Sequence, residues 1–156
     1  MNNEILVIDD NSDIRLLISG ILKDKGFSVR VAANFDQALN EINKKTPDVA
    51  VIDVKLDKGD NDGIDLLSYI KKIDDDVPVI MISGHANVQM AVDALKLGAF
   101  EFLQKPFSAE RLLNFINRAL ENVSLRKEKQ VLESKLFYSY DIVGQSNSIE
   151  KVKNLI

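Results

Sequence analysis

Apolar residues gather in five short runs between the N-terminus and residue 103. The runs are rich in valine, isoleucine and leucine and occupy residues 5–8, 28–31, 49–52, 79–82 and 100–103. Three of them are almost continuously apolar, which is typical of parallel strands that are covered on both faces of the sheet. The pattern therefore predicts five β-strands, with the weakest signal in the last run.

Between and after these runs, apolar residues recur every three or four positions, which predicts amphipathic helices. The apolar stripes cover residues 14–22, 35–42, 64–70, 88–95 and 112–120. In the first stripe Leu17 is expected to be buried with its neighbours. Gly26 and Gly98 are expected to end the first and fourth helices, and Asn34 is the candidate N-cap of the second.

Strands that strictly alternate with helices imply right-handed crossovers and a doubly wound parallel sheet of the α/β class. On such sheets, ligands bind at the carboxyl ends of the strands. After residue 107 there are no further prolines or dense apolar runs, and acidic residues no longer outnumber basic ones. We therefore expect a compact acidic domain that is followed by a C-terminal helical extension.

The composition narrows the class of function. The 156 residues are 46% hydrophobic, which is enough for a core, and the net charge of −4 argues against nucleic acid or an anionic membrane as a partner. The absence of cysteine excludes disulfides, zinc–thiolate sites and thiol nucleophiles. No apolar run approaches the roughly 18 residues that cross a bilayer. Because Asp9 and Asp10 also interrupt any N-terminal signal segment, we expect a cytoplasmic protein.

Polar residues follow the ends of four predicted strands. They are Asp9 and Asp10 after the first strand, Asp53 after the third, Ser83 after the fourth and Lys105 after the fifth. Three carboxylates at one rim repel each other unless a cation lies between them, and clustered carboxylate oxygens suit Mg²⁺. An ammonium and a hydroxyl beside them would complete a site for phosphoryl transfer, which needs an in-line nucleophile and neutralised phosphoryl oxygens. Taken alone, Asp10 could equally cap the helix that follows it.

In this order, Asp9-Asp10, Asp53, Ser83 and Lys105-Pro106-Phe107 resemble the motif set of receiver domains in two-component response regulators. The resemblance covers about residues 3–122. It implies a five-stranded parallel sheet in the order 2-1-3-4-5, and a sensor histidine kinase as the partner that phosphorylates Asp53.

The resemblance also implies roles for single residues. Asp10, Asp53 and the Lys55 backbone carbonyl would hold Mg²⁺, and Asp9 would bind it through water. Ser83 and Lys105 would contact the phosphoryl oxygens. The remaining implied features are a switch made by Ser83 and Phe102 and a cis peptide bond between Lys105 and Pro106.

Finer features resemble the NtrC-type branch of this family, and within it the NtrX group. They are the sequences of residues 81–85 and 99–107 and the long stretch of residues 55–62. Residues 141–146 resemble the entry to the AAA+ module of activators of sigma-54 polymerase. We therefore expect a receiver domain at 1–122, a helical linker at 123–140 and the start of an AAA+ domain at 141–156. The sequence has no GxxxxGK[ST] loop, so no ATPase function is inferred.

Two other classes of protein compete with a signalling module. An aspartyl-phosphate phosphatase that resembles the haloacid dehalogenases uses Asp-x-Asp with the second aspartate as general acid, and Lys55 stands at that position. A phosphorylation-independent dimerisation module would be expected to have lost an acidic residue or the lysine, and none is lost. The sequence therefore predicts a phospho-accepting module and not an enzyme.

Two features near the expected site could suggest metal binding but are interpreted differently. The acidic run at residues 57–63 is interpreted as a solvated loop, because a calcium loop aligned on Gly63 would place Lys58 and Tyr69 at ligand positions. His85 lacks a partner histidine or cysteine for a metal, so we expect it to gate access to the phosphoryl group.

The tail predicts a helix that needs a partner. Leu125, Leu132 and Leu136 form a narrow apolar seam, and no proline or glycine interrupts residues 108–140. An isolated helix with so narrow a seam is marginal in water. We therefore expect residues 108–136 to form a dimerising linker that gives a homodimer.

Overall fold

The computed structural model describes residues 3–57, 59, 62–85, 88–123 and 125. The chain divides into two units, Met1–Leu120 and Glu121–Ile156. In the second unit the described residues, 121–123 and 125, are helical. The expected linker beyond residue 125 and the expected AAA+ start at 141–156 lie outside the described residues.

The first unit is built on a five-stranded parallel sheet in the order β2-β1-β3-β4-β5. This order confirms the fold class, and each strand begins and ends within one residue of its predicted bounds. The strands are β1 (Glu4–Ile8), β2 (Ser28–Ala32), β3 (Val49–Asp53), β4 (Val79–Ser83) and β5 (Glu101–Gln104).

Helices cover both faces of the sheet, as the alternating sequence pattern predicts. They are α1 (Ser12–Asp24), α2 (Phe35–Lys44), α3 (Asp62–Ile73), α4 (Val88–Lys96) and α5 (residues 109–123). One core lies between the sheet and α2, α3 and α4. A second lies between the sheet and α1 and α5. Because the inner strands are buried on both faces, their side chains alternate between the two cores.

Local signals set the helix ends where the sequence places them. The Asn34 side chain accepts a hydrogen bond from the backbone N–H of Gln37 and so caps α2. Gly26 and Gly98, which follow α1 and α4, have φ angles of 88° and 106°. These are left-handed conformations that glycine adopts without steric cost. Ser108 caps α5 by accepting a hydrogen bond from the Arg111 backbone N–H.

The prediction for Leu17 is wrong. Its side chain is 51% exposed, whereas Ser19, which the apolar pattern leaves out, is buried beside Ile18 and Leu22. Successive helical residues are about 100° apart, so the face centred on Ile18 and Leu22 turns Leu17 to solvent and Ser19 inward. Among the described residues, no helix is both long and apolar enough to span a membrane.

Candidate functional site

Three carboxylates meet at the carboxyl edge of the sheet. Asp9 and Asp10 directly follow β1 and Asp53 ends the adjacent strand β3, and each offers an oxygen that lies within 4.8 Å of the other two. Asp9 is fully buried and Asp53 is 7% exposed, whereas Asp10 is exposed. The sheet order therefore assembles the acidic cluster that the sequence predicts.

Backbone and side-chain hydrogen bonds fix the chain on which these carboxylates lie. The backbone N–H of Asp9 donates to the carbonyl of Ala32 at 3.2 Å, which extends the pairing of β1 with β2. The Asp9 carboxylate accepts from the backbone N–H of Asn11 at 2.9 Å, and Asn11 caps α1. Asp10 therefore does not cap this helix, and that alternative is wrong.

Lys105 reaches two of the three carboxylates. Its Nζ lies 2.9 Å from Oδ2 of Asp9 and 3.1 Å from Oδ2 of Asp53. Its backbone N–H donates to the Ser83 carbonyl at 2.8 Å, which aligns the end of β5 with β4. The Lys105–Pro106 peptide bond is cis, the isomer that the resemblance implies.

The site holds more negative charge than Lys105 balances. Burial, and then the charge of Asp9, raise the pKa of Asp53 to about 6, although Lys105 acts in the opposite direction. Burial lowers the pKa of the Lys105 ammonium, but its hydrogen bond to Asp9 and the charges of both carboxylates outweigh burial, so that its pKa is raised. Lys105 is therefore charged at neutral pH, and Asp53 ionises at some cost.

A cleft of about 540 Å³ opens beside the cluster. Its lining includes Asp10 and Asp53 together with Lys55, Ser83, His85 and Lys105. The Ser83 hydroxyl accepts a hydrogen bond from the backbone N–H of His85 at 3.1 Å, and Lys55 and His85 are exposed. The structure thus brings the expected phosphoryl contacts and the expected gating residue to the cleft that contains Asp53.

Phe102 lies apart from this cleft. It is half-buried on β5 and packs against the core beneath α2, α3 and α4. In the sheet register Phe102 pairs with Met81, while Ser83 pairs with Gln104. The two expected switch residues therefore lie on adjacent strands, two positions apart in register.

The acidic run at residues 57–63 is only partly the solvated loop that the sequence predicts. Asp62 is 5% exposed, and its Oδ1 accepts from the backbone N–H of Leu56 at 2.6 Å. Asp57 is exposed, but its carboxylate accepts from the backbone N–H of Phe35 at the start of α2. The run is therefore hydrogen-bonded to the fold at Asp57 and at Asp62, where α3 begins.

Gly63 is a site residue that the sequence analysis misses. Its N–H donates to the carbonyl of Val54 at 2.8 Å. A Cβ at this position would overlap the Asp53 carbonyl oxygen and lie 2.7 Å from Cα of Val54. The start of α3 therefore packs directly on the backbone of Asp53. The Asp62-Gly63 pair is the sequence signal for this turn, but the close approach to another segment is a tertiary feature.

A protein-family model described as "Response regulator receiver domain" matches residues 5–117. The chain belongs to this family. The nitrogen assimilation regulatory protein NtrX of Azorhizobium caulinodans is 42% identical over 153 residues, which cover 98% of this chain and 34% of that protein. The chain thus spans about a third of the length of the curated relatives it matches.

Solved structures agree with this assignment. The receiver domain of NtrX from Brucella abortus is 47% identical with a TM-score of 0.71, and the match covers 75% of this chain and 98% of that structure. A beryllofluoride-activated NtrC4 receiver domain dimer is 39% identical with a TM-score of 0.72, covering 77% and 98% of the two chains. Residues 5–117 are thus a receiver domain of the NtrX/NtrC type, with a signalling role.

Proposed function

We propose that this receiver accepts a phosphoryl group on Asp53 from a sensor histidine kinase. The observation that carries the proposal is the position of Asp53, a buried carboxylate that shares the Lys105 ammonium with Asp9. In the transfer, a carboxylate oxygen of Asp53 forms a bond to phosphorus as the bond from phosphorus to the kinase histidine nitrogen breaks. The products are an aspartyl phosphate on this chain and, once the released nitrogen takes up a proton from solvent, a neutral imidazole on the kinase.

The other residues of the cleft would stabilise the transferred group. Lys105, which contacts Asp53, would neutralise developing charge on one phosphoryl oxygen, and the Ser83 hydroxyl, which lines the same cleft, would donate to another. Such a site works by positioning and electrostatic stabilisation, because phosphoryl transfer needs little covalent assistance.

The residues fit Mg²⁺. Three carboxylate oxygens within 4.8 Å of one another are the hard donors that this ion prefers, and the exposed Asp10 leaves room for the waters it retains. Asp10, Asp53 and the Lys55 backbone carbonyl would hold the ion, and Asp9 would bind through water. When bound, Mg²⁺ neutralises negative charge at the phosphoryl site.

We further propose that phosphorylation moves the surface of α4 and β5 through Ser83 and Phe102. The added negative charge would draw the Ser83 hydroxyl towards the phosphoryl group and leave space for Phe102 to turn inward. Amide chemical shifts of residues near Phe102 should change on phosphorylation of the wild type and not of Ser83→Ala. Equal changes in both proteins would disprove this coupling.

The domain organisation, the cellular location and the oligomeric state are also proposals. We propose a receiver domain at residues 1–122, a linker at 123–140 and the start of an AAA+ domain at 141–156, in a cytoplasmic activator of sigma-54 polymerase. Similarity to NtrX and NtrC-type regulators supports this organisation. A homodimer is supported by the similar NtrC4 receiver domain dimer.

The competing phosphatase function is disfavoured by Lys55. This residue stands two positions after Asp53 and lines the same cleft, so an ammonium takes the place of a carboxylic general acid. A phosphorylation-independent dimerisation module does not account for a complete acidic cluster with its lysine. The two alternatives differ from our proposal in whether a stable phosphorylated chain accumulates.

Phosphate-affinity gel electrophoresis tests this proposal on the full chain. With acetyl phosphate and Mg²⁺, we expect a retarded band for the wild type, loss of that band in Asp53→Asn, and its retention in Asp57→Asn. Asp57 is a matched control because it is exposed and lies four residues further along the same chain segment. A retarded band in Asp53→Asn would contradict the assignment.

A further inference from the structure

The guanidinium of Arg15 folds back onto the turn that carries the acidic cluster. Nη1 of Arg15 donates to the backbone carbonyl of Asp9 at 2.7 Å, and the side chain is half-buried. The backbone N–H of Arg15 meanwhile donates to the carbonyl of Asn11 and closes the first turn of α1. Side chains in a helix lean towards its N-terminus, so a residue in the first turn can reach back over the preceding loop.

The helix dipole disfavours a positively charged side chain in the first turn of α1. The first turn of a helix carries partial positive charge from its free N–H groups and favours acidic residues, such as Asp13 in α1. Arg15 lies against this preference, and its short hydrogen bond to a carbonyl is charge-assisted and therefore among the stronger ones. The hydrogen bond to the Asp9 carbonyl thus offsets the unfavourable interaction of Arg15 with the helix dipole.

The carbonyl that Arg15 binds belongs to the peptide unit that joins Asp9 to Asp10. This unit is planar, so the direction of the Asp9 carbonyl also sets the position of the Asp10 Cα atom. Asp9 has other anchors, because its carboxylate bonds Lys105 and the Asn11 N–H. Asp10 is exposed. Its orientation therefore depends on the peptide unit that Arg15 holds.

We propose that Arg15 is a positioning residue that orients the Asp10 carboxylate for a divalent cation at the acidic cluster. This inference rests on the proposed function, in which Asp10 is a ligand of Mg²⁺. Arg15 would act through the backbone of the β1–α1 turn and not by contact with the ion.

Charge and position predict opposite effects of removing Arg15. By Coulomb's law, loss of a positive charge near a cation site should strengthen Mg²⁺ binding. Loss of the hydrogen bond to the Asp9 carbonyl frees the Asp10 backbone and should weaken binding, as loss of supporting residues does at other metal sites. The sign of the change in affinity therefore separates the two roles.

Amide chemical shifts of the full chain, titrated with MgCl₂ alone, measure the affinity without any phosphoryl donor. We expect Arg15→Met to weaken Mg²⁺ binding about tenfold, the low end of the range for such supporting residues. Arg15→Lys keeps a donor for the carbonyl on a side chain that is one bond shorter. It should therefore bind Mg²⁺ more tightly than Arg15→Met but more weakly than the wild type. Lys23→Met removes the same charge from the last turn of α1 and should bind Mg²⁺ no more weakly than the wild type.

Equal or tighter Mg²⁺ binding by Arg15→Met would overturn the proposal. So would weaker binding by Arg15→Lys than by Arg15→Met, since that order follows from charge alone. If Arg15→Met fails to fold in a urea unfolding check, comparison of Arg15→Lys with Lys23→Met still decides, because only Arg15→Lys should then bind more weakly than the wild type. Absence of saturable Mg²⁺ shifts in the wild type would instead overturn the metal site of the proposed function, and this inference with it.

Discussion

At the scale of single residues, Asp53 meets two opposing requirements. A phosphoryl acceptor must be ionised to attack phosphorus, yet burial and the neighbouring Asp9 charge make its ionised form costly. With a pKa of about 6, Asp53 is mainly ionised at neutral pH. Ionisation of Asp53 therefore lowers the free energy of unfolding of the domain.

This cost gives a pH-dependent prediction for Asp53→Asn in buffer without divalent cations. An unfolded aspartate has a pKa of about 3.9, and the pKa of folded Asp53 is raised to about 6. Between these values the folded state binds more protons than the unfolded state, so this group makes the protein less stable as pH rises. We expect Asp53→Asn to be more stable than the wild type by about 1–3 kcal/mol at pH 8.

Urea unfolding of both proteins across the pH range provides the check. The advantage of Asp53→Asn should shrink as pH falls through 6 and should be smallest below pH 4, where both side chains are neutral. An advantage that is the same at all pH values would show that the destabilisation does not come from ionisation of Asp53.

At the scale of secondary-structure elements, the approach of α3 to β3 determines the backbone of the site. Gly63 lies against the Asp53 carbonyl, so Gly63→Ala must displace either the helix or the strand end. We expect a loss of unfolding free energy of about 1–3 kcal/mol, which is typical of overpacking. Phosphorylation of Asp53 should slow as well, because its backbone moves.

Gly20→Ala is the matched control for this change. A Cβ at Gly20 meets no atom within 4 Å, and the residue lies inside α1. This substitution should stabilise the chain by about 0.5–1 kcal/mol, since alanine has the higher helix propensity. If Gly63→Ala were as stable and as readily phosphorylated as Gly20→Ala, the close approach would have no functional role.

The pattern of strands and helices also explains which features could be predicted from the sequence. Periodicity and parallel topology are enough to place Asp9, Asp53 and Lys105 at one edge, because strand ends in a parallel sheet converge. The sequence pattern could not place the inward face of α1 to within one residue. For this reason Leu17 was expected to be buried but is exposed, whereas Ser19 is buried. Contacts such as that of Arg15 with the Asp9 carbonyl depend on side-chain direction, which the apolar pattern does not encode.

At the scale of the whole molecule, the predicted dimerising helix at residues 108–136 awaits a direct test. Most of its apolar seam lies beyond the described residues, so the prediction rests on the spacing of Leu125, Leu132 and Leu136. Sedimentation of the full chain should give more dimer than a chain ending at Asn122, with a further increase in beryllofluoride and Mg²⁺. Equal monomer fractions for both chains under both conditions would make this segment a passive spacer.

We propose that the acidic cluster makes Asp53 the phosphoryl acceptor of this domain. Borohydride reduces an aspartyl phosphate to homoserine and leaves free carboxylates unchanged, so peptide mass spectrometry can locate the modified residue. After treatment of the full chain with acetyl phosphate and Mg²⁺, we predict homoserine at position 53 and unmodified aspartate at positions 9, 10 and 57. Homoserine at any of those three positions, with Asp53 unmodified, would contradict the account.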